Sequence, residues 1–115
     1  MSEVRVKRVY DPKAPGDGLR VLVDRLWPRG MTHEEAAIDL WLKDVAPSAE
    51  LRHWFGHDPG RWPEFQERYR AELASNKALD ELRAALARSE PVTLLFGAKD
   101  TEHNNAVALQ AFLRD

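Results

Sequence analysis

The stretch LRVLVDRLWPRG, residues 19–30, decides the fold that we predict for this chain. Its first half is almost wholly apolar, as are strands that a parallel sheet buries on both faces. An acid and an arginine, Asp24 and Arg25, follow this apolar run, and a proline and a glycine come shortly after them. The pattern predicts a buried strand over 19–26 that runs into a polar loop at its carboxyl end.

Strand-like and helix-like patterns alternate along the rest of the chain. Further strands are predicted over 4–10, 38–45 and 91–100 from their alternation or their β-branched and aromatic content. Helical signals are caps, stops and apolar residues at helical spacing. They predict one turn over 31–37, with Thr32 and Glu35 as a capping box, a helix over 47–56 that Gly56 ends, helices over 57–74 and from Asn76, and a closing helix over 101–115.

This order predicts an α/β fold with a small, mostly parallel sheet of about four strands covered by helices. We expect a single domain over residues 1–115, a length typical of one domain. The first connection, DPKAPGDG at 11–18, is shorter than the dozen residues that join parallel neighbours. Its length favours an antiparallel pairing of the first two strands.

Composition excludes several classes of function. The chain has no cysteine, which excludes disulfides, thiolate nucleophiles and cysteine-bound metals. The net charge is only −2, so there is no global electrostatic case for nucleic acid. No apolar run is long enough to span a membrane, and the first residues lack the apolar core of a signal peptide, so we expect no membrane partner and a cytoplasmic location.

The charge is nevertheless unevenly distributed. Residues 1–30 carry seven Lys or Arg against four acids, a balance of +3, which leaves −5 for residues 31–115. A basic edge on an acidic body is compatible with binding an anion, and it is also what ordinary scatter of surface charge produces.

The candidate site follows from the predicted sheet. Open α/β sheets bind ligands beyond the carboxyl ends of their strands. The loops after 19–26 and after 91–96 both occupy that position, and they share one crevice if the two strands are parallel neighbours. The residues that we predict to bind a ligand are Arg25, Arg29, Lys99, Asp100 and Asn104, and the candidates for moving a proton are Asp24 and His103.

This mixture of side chains suits an anion. Arginine presents a planar fork to carboxylate or phosphate, and a helix that starts at about Thr101 would add free N–H groups. Structural roles are the alternatives: an ion pair of Asp24 with Arg25 or Arg29, and a helix cap at Asp100 or Thr101. A surface position is the alternative for His103.

Other polar residues carry less specific signals. His53 and His57 could share a metal only if a helix continued past Gly56, and no third ligand is evident, so no metal is predicted. Ser48 is more typical of a helix cap than of a nucleophile. The aromatic residues of 54–69 are more typical of a core than of a base-stacking wall. Because the nucleotide-binding glycine motifs are absent, no cofactor is assigned.

The segments DRLWPRG, KDVAPS and AKDTEHNN together resemble the YeaO-like branch of the domain-of-unknown-function family 488. The resemblance covers roughly residues 5–113 and implies a small bacterial cytosolic α/β protein, without implying a particular activity. Longer relatives have an Asp-x-Arg at Asp24-Arg25 and cysteine motifs near FGAKD and EHNNA. Since this chain has no cysteine, only the location of the site carries over, not thiol chemistry.

Three hypotheses of function remain open. The first is a domain that binds a small phosphorylated or carboxylated molecule, with an acid–base enzyme as one form of it. The second is a nucleic-acid-associated or regulatory module that uses the basic residues of 5–20 with Trp27 and Trp54. The third is a scaffold or oligomer subunit without a ligand, for which an exposed aromatic patch at LWPRG would be the signature. The pattern does not specify an oligomeric state.

Overall fold

A four-stranded parallel sheet lies at the centre of the structure, a computed structural model that describes residues 3–88 and 91–114. The strands run in the order β1-β4-β2-β3 across the sheet. Their bounds are Val4–Arg8 (β1), Leu19–Leu22 (β2), Leu40–Trp41 (β3) and Val92–Phe96 (β4). The predicted α/β class, with a small parallel sheet of four strands, is confirmed.

Strand β4 is the central strand, and all five of its residues are buried. It pairs in parallel with β1 on one side and with β2 on the other, so that Val92 aligns with both Val4 and Leu19. The antiparallel pairing expected for β1 and β2 is therefore wrong. The length of their connection did not decide their pairing, because β4 inserts between them and takes the hydrogen bonds of both.

A single glycine allows β2 to start close to the segment that leads into β4. Gly18 has a backbone φ of +65°, a conformation that residues with a side chain rarely adopt. A Cβ atom at Gly18 would lie 2.0 Å from the carbonyl oxygen of Pro91. Because Leu19 N–H donates to that same oxygen at 3.1 Å, the close approach is what aligns the two strands.

Five α-helices lie within the described ranges of the chain, and the caps of the first two follow the sequence signals. Thr32 and Glu35 form the predicted capping box around α1, Ser48 caps α2, and Gly56 ends α2 with φ of +54°. The bounds are His33–Ala36 (α1), Ala49–Phe55 (α2), Trp62–Ala74 (α3), Ala78–Arg88 (α4) and Asn105–Arg114 (α5).

Several predicted elements are shorter in the structure: β2 ends at Leu22 instead of at 26, and α3 begins at Trp62, after a 3-10 turn over Pro59–Arg61. Of the strand expected over 38–45 only Leu40–Trp41 pairs with β2, and Lys43–Val45 forms a 3-10 turn. The last helix does not begin at about Thr101. The carboxylate of Asp100 accepts the N–H groups of Glu102 and His103, which closes a separate turn ahead of α5.

The two faces of the sheet are covered unequally. One face carries the main core, in which Val21, Leu94 and Phe96 pack against apolar residues of α2, α3, α4 and α5. The other face has a small cluster in which Leu22 and Leu95 meet Ala36 of α1 and Val9. The helices therefore support mainly one side of the sheet.

A buried ion pair fixes the amino edge of the sheet. Arg20 is 0% exposed, and its guanidinium donates to Asp17 at 2.6 Å and to the carbonyls of Ala36 and Ala37 at 2.8 and 3.0 Å. Lys7 of β1 donates to the same carboxylate at 3.1 Å. Although burial acts to raise the pKa of Asp17, its hydrogen bonds from the Ala14 N–H, Arg20 and Lys7 hold that pKa below its ordinary value.

Replacing Asp17 with Asn should lower the free energy of unfolding by about 3–5 kcal/mol, because the guanidinium of Arg20 would remain buried without a counter-charge. Urea unfolding of the two proteins measures the difference. The matched control is Glu64→Gln, which breaks the exposed ion pair with Arg68 and should cost less than about 1 kcal/mol. Equal, small losses in both variants would contradict a structural role for the buried pair.

Candidate functional site

A pocket of about 730 Å³ opens at the carboxyl edge of the sheet. Loops that follow β1, β2 and β4 form one side, and α2 with its flanking residues forms the other. The condition set at the sequence level is met, since β2 and β4 are parallel neighbours and residues of both of the loops that follow them line this pocket. Its polar lining consists of Asp24, Arg25, Arg29, Arg52, His53, His57, Asn104 and Asn105.

Asp24 joins the two strand-end loops. Its Oδ2 accepts the N–H of Gly97 at 2.8 Å, and its Oδ1 accepts Nδ2 of Asn105 at 3.1 Å. Burial raises the pKa of Asp24, while these two hydrogen bonds and the charges of Arg52 and His57 act in the opposite direction. Asp24 is the only carboxylate among the residues described as lining the pocket.

Three arginines surround this one carboxylate. Arg25 lies 3.6 Å from Asp44, and its Nε is buried without a hydrogen-bond partner among the described residues. Arg29 and Arg52 are exposed, and within 3–88 and 91–114 neither guanidinium makes an ion pair or hydrogen bond. The ion pair of Asp24 with Arg25 or Arg29, an alternative at the sequence level, is thus absent; Arg25 pairs with Asp44.

Aromatic residues hold the walls of the pocket in place. The hydroxyl of Tyr10 donates to the Arg29 carbonyl at 3.1 Å, and Nε1 of Trp27 donates to the Met31 carbonyl at 2.9 Å. Phe55 and Phe65 stack with their ring centroids 4.3 Å apart. All four rings line the pocket, so its shape is set by bonded or packed side chains.

Three of the predicted site residues lie away from the pocket lining. Lys99 is exposed, and Asp100 and His103 bind each other through Oδ2 and Nδ1 at 2.9 Å. The N–H of Glu102 and both the side chain and the N–H of His103 hold the pKa of Asp100 below its ordinary value. His103 packs edge-on against Trp62 with centroids 5.4 Å apart, on the α3 side of the loop.

The two asparagines have separate structural roles. Asn104 is buried, and its side chain accepts the N–H of Val107 at 2.9 Å and donates to the Asp100 carbonyl at 3.0 Å, so it caps α5. Asn105 donates to Asp24 and, at 3.0 Å, to the carbonyl of Val23. Both amides are thus bonded within the chain, Asn104 at the start of α5 and Asn105 at the end of β2.

Sequence reasoning missed part of the pocket. At the sequence level His53 and His57 were considered only as a metal pair, and nothing placed them or Arg52 beside Asp24. The signal that could have done so is the amphipathic α2, whose apolar Leu51 and Phe55 face the core and thereby direct other residues to the sheet edge. Ser48 is the helix cap it was predicted to be, with Leu51 N–H donating to its hydroxyl at 3.1 Å.

No group of three or more His, Asp or Glu in the described part of the chain is placed to hold a metal ion. No helix within the described ranges is long and apolar enough to cross a membrane.

The fold and the pocket define a small parallel α/β domain with a basic crevice at the carboxyl edge of its sheet. The chain belongs to the DUF488 family, since the family model described as "Inactive DUF488-N3 subclade" matches residues 3–115. This match confirms the resemblance seen in the motifs around Asp24 and Asn104.

Two relatives support the assignment over nearly their full lengths. The protein YeaO of Escherichia coli is 44% identical over 111 residues, which cover 96% of this chain and 96% of its own. The protein Rv3073c of Mycobacterium tuberculosis is 45% identical over 112 residues, which cover 97% of this chain and 94% of its own. No solved structure gives a significant match.

The carboxyl group of Asp24 should titrate above the ordinary aspartate value of about 3.9, because burial disfavours its charged form. Carboxyl-detected NMR across a pH series measures the midpoint. Arg52→Ala should move the midpoint further upward, since the charge of Arg52 lowers the pKa of Asp24. The control Arg88→Ala, at the exposed end of α4, should leave it unchanged. A wild-type midpoint at or below the ordinary value would contradict the burial of this group.

Proposed function

We propose that the chain binds a small organic anion, a phosphate or a carboxylate, in the pocket at the carboxyl edge of the sheet. The observation that carries this proposal is the charge of the lining, where three arginines and two histidines face a single carboxylate. Two of those guanidiniums, on Arg29 and Arg52, have no partner within the described residues. Arginines that line one pocket, two of them without a carboxylate partner among the described residues, favour an anionic ligand.

The local structure supports the same proposal. The carboxylate of Asp24 is already bonded to Gly97 and Asn105, so it does not neutralise the arginines by direct pairing. The buried Nε of Arg25 is a donor that lacks an acceptor. An unsatisfied buried donor costs free energy, and an anion in the pocket would supply the missing acceptor.

Binding fits this chain better than catalysis. The matching family model is described as an inactive subclade. The Asp100–His103 pair, which offered a candidate base, lies outside the pocket lining, and no cysteine is present. Of the two residues predicted from the sequence to move a proton, Asp24 and His103, only Asp24 lines the pocket.

Contacts of the basic N-terminal residues weigh against the nucleic-acid alternative. Arg5 pairs with Glu3, Lys7 with Asp17, and Arg20 is wholly buried. These cations are already paired within the chain, so fewer are left to contact phosphates.

Contacts in the LWPRG loop weigh against the scaffold alternative. Leu26 is 71% exposed, but Trp27 is only partly exposed and Pro28 is buried. The two aromatic side chains that contact this loop, Tyr10 and Trp41, are 39% and 37% exposed, so among these apolar residues Leu26 alone is mostly exposed, which is ordinary on a protein surface.

Inorganic phosphate and succinate, tested by thermal shift at constant ionic strength, should stabilise the wild-type chain. A ligand at about 100 times its Kd adds roughly 2.7 kcal/mol, which for a domain of this size is roughly 10 °C in Tm. The double variant Arg29→Ala/Arg52→Ala should fold normally, because both side chains are exposed, and should lose the stabilisation.

The matched control for this test is Arg88→Ala, which removes an exposed arginine from the end of α4 and should retain the full shift. Absence of any anion-dependent shift in the wild type, or an equal shift in the double variant, would overturn the proposal.

A further inference from the structure

We infer that the ligand of this pocket is a phosphate monoester whose organic part carries a flat ring and a hydroxyl or amino donor, the chemistry of a nucleoside monophosphate. The inference rests on the proposed function, because it assumes that the pocket binds an anion. It goes beyond the proposed function by naming the anionic group that the arginines bind and the organic group that fills the remaining volume of the pocket.

The size of the pocket requires more than a simple anion. Its volume of about 730 Å³ lies in the range of roughly 300–1,000 Å³ that is typical of sites for cofactors and small organic ligands. Free phosphate or a small carboxylate would occupy only a minor part of it. A ligand that excludes water from the pocket therefore needs an organic body.

The charge favours a phosphate monoester over a carboxylate. Arg29 and Arg52, whose guanidiniums have no partner among the described residues, contribute a charge of +2, whereas Arg25 is already paired with Asp44 and Asp24 is bonded to Gly97 and Asn105. A phosphate monoester carries about −1.5 to −2 at neutral pH, whereas a monocarboxylate carries only one negative charge. The phosphate also offers more acceptor oxygens to three guanidinium groups than a single carboxylate does.

The aromatic lining favours a ring in the organic part. Tyr10 and Trp27 are each held by a hydrogen bond from the ring to a backbone carbonyl, and Phe55 is held by stacking on Phe65. These rings are fixed before a ligand arrives, so a planar group loses little by packing against them. Stacking of a nucleobase on an aromatic side chain is a common source of affinity.

Asp24 supplies the remaining specificity. A carboxylate accepts about four hydrogen bonds, and the protein uses one on each oxygen of Asp24. The spare acceptor positions suit a hydroxyl or amino donor and repel a second anionic group. A ribose hydroxyl or an exocyclic amine on a ligand whose phosphate lies on the arginines would meet this need.

Isothermal titration with four probes separates the parts of the ligand: inorganic phosphate, ribose 5-phosphate, adenosine and adenosine 5′-monophosphate. The nucleotide should bind at least tenfold more tightly than inorganic phosphate, with ribose 5-phosphate between them and adenosine weakest. Equal affinity for the nucleotide and inorganic phosphate would overturn the inference while leaving the proposed function intact. Failure of every phosphate to bind would overturn the inference, and it would overturn the proposed function as well if succinate also fails to stabilise the chain.

A variant that narrows the pocket tests where the organic part lies. Ala49 is exposed at the first position of α2 and lines the pocket, so Ala49→Phe should occupy part of its volume while leaving the arginines in place. The variant should weaken binding of the nucleotide at least tenfold and binding of inorganic phosphate less than threefold. Ala84→Phe, at an exposed position of α4, is the matched control and should change neither. Unchanged nucleotide binding by Ala49→Phe would overturn the inference.

A last experiment distinguishes a free nucleotide from the phosphorylated end of a DNA strand as the ligand. A short single-stranded DNA with a 5′-phosphate is compared with the same strand carrying a 5′-hydroxyl. Tighter binding of the phosphorylated strand than of the free nucleotide would identify a strand end as the source, and the reverse order would identify a free nucleotide. Equal binding of the two strands, at an affinity above that of the free nucleotide, would overturn recognition of the monoester.

Discussion

The buried guanidinium of Arg20 is the interaction on which the rest of the fold depends. It joins β2 to the turn before it through Asp17 and to the end of α1 through the carbonyls of Ala36 and Ala37. Lys7 brings β1 to the same carboxylate, and the Asp17 carbonyl accepts the hydroxyl of Thr93 on β4 at 2.7 Å. Three strands and a helix thus share one polar centre at the amino edge of the sheet. Such a centre is costly unless its groups are well paired, and here each of these groups has a partner.

A second polar centre lies at the opposite end of β2, and there the carboxylate of Asp24 is hydrogen-bonded to an N–H group and an amide instead of to an arginine. Asp24 plays a part similar to that of Asp17, since it connects the end of β2 to the end of β4 and to α5. The arginines around it, however, are not drawn into the structure as Arg20 is. The contrast separates two uses of the same residue types on one short strand: a saturated centre that specifies the fold, and an unsaturated one that remains available to a ligand.

Much of the fold could be predicted from local signals. The caps at Thr32 and Ser48 and the stop at Gly56 depend on neighbours a few residues away, and all three were read correctly. The insertion of β4 between β1 and β2 depends on partners at the two ends of the chain, and no local pattern reports it. The predicted start of α5 at about Thr101 was wrong. The carboxylate of Asp100 accepts the N–H groups of Glu102 and His103, as a helix cap would, but the turn that it closes is separate from α5, which begins at Asn105.

The candidate site, like the fold, could be predicted from the sequence only in part. The strand-end rule located the loops of Asp24 and Asn104, because that rule needs only strand ends and parallel pairing. It did not supply Arg52, which reaches the pocket from a helix packed across the sheet edge. It also included His103, whose side chain turns toward Trp62. The direction of a side chain within a loop depends on tertiary contacts that a single sequence does not record.

The central place of β4 has a consequence for how the chain folds as it is made. Val4 pairs with Val92, which is synthesised 88 residues later. At roughly 5–20 residues per second, the time between the synthesis of these two residues on the ribosome is on the order of 4–18 s. Until then β1 has no strand beside it, and β2 has only the two-residue β3. Strands β1 and β2 emerge early, and β4, which pairs with both of them, emerges late. A nascent chain of this kind spends its synthesis with open strand edges, and it is during this interval, more than in the finished protein, that it is exposed to aggregation and dependent on chaperones.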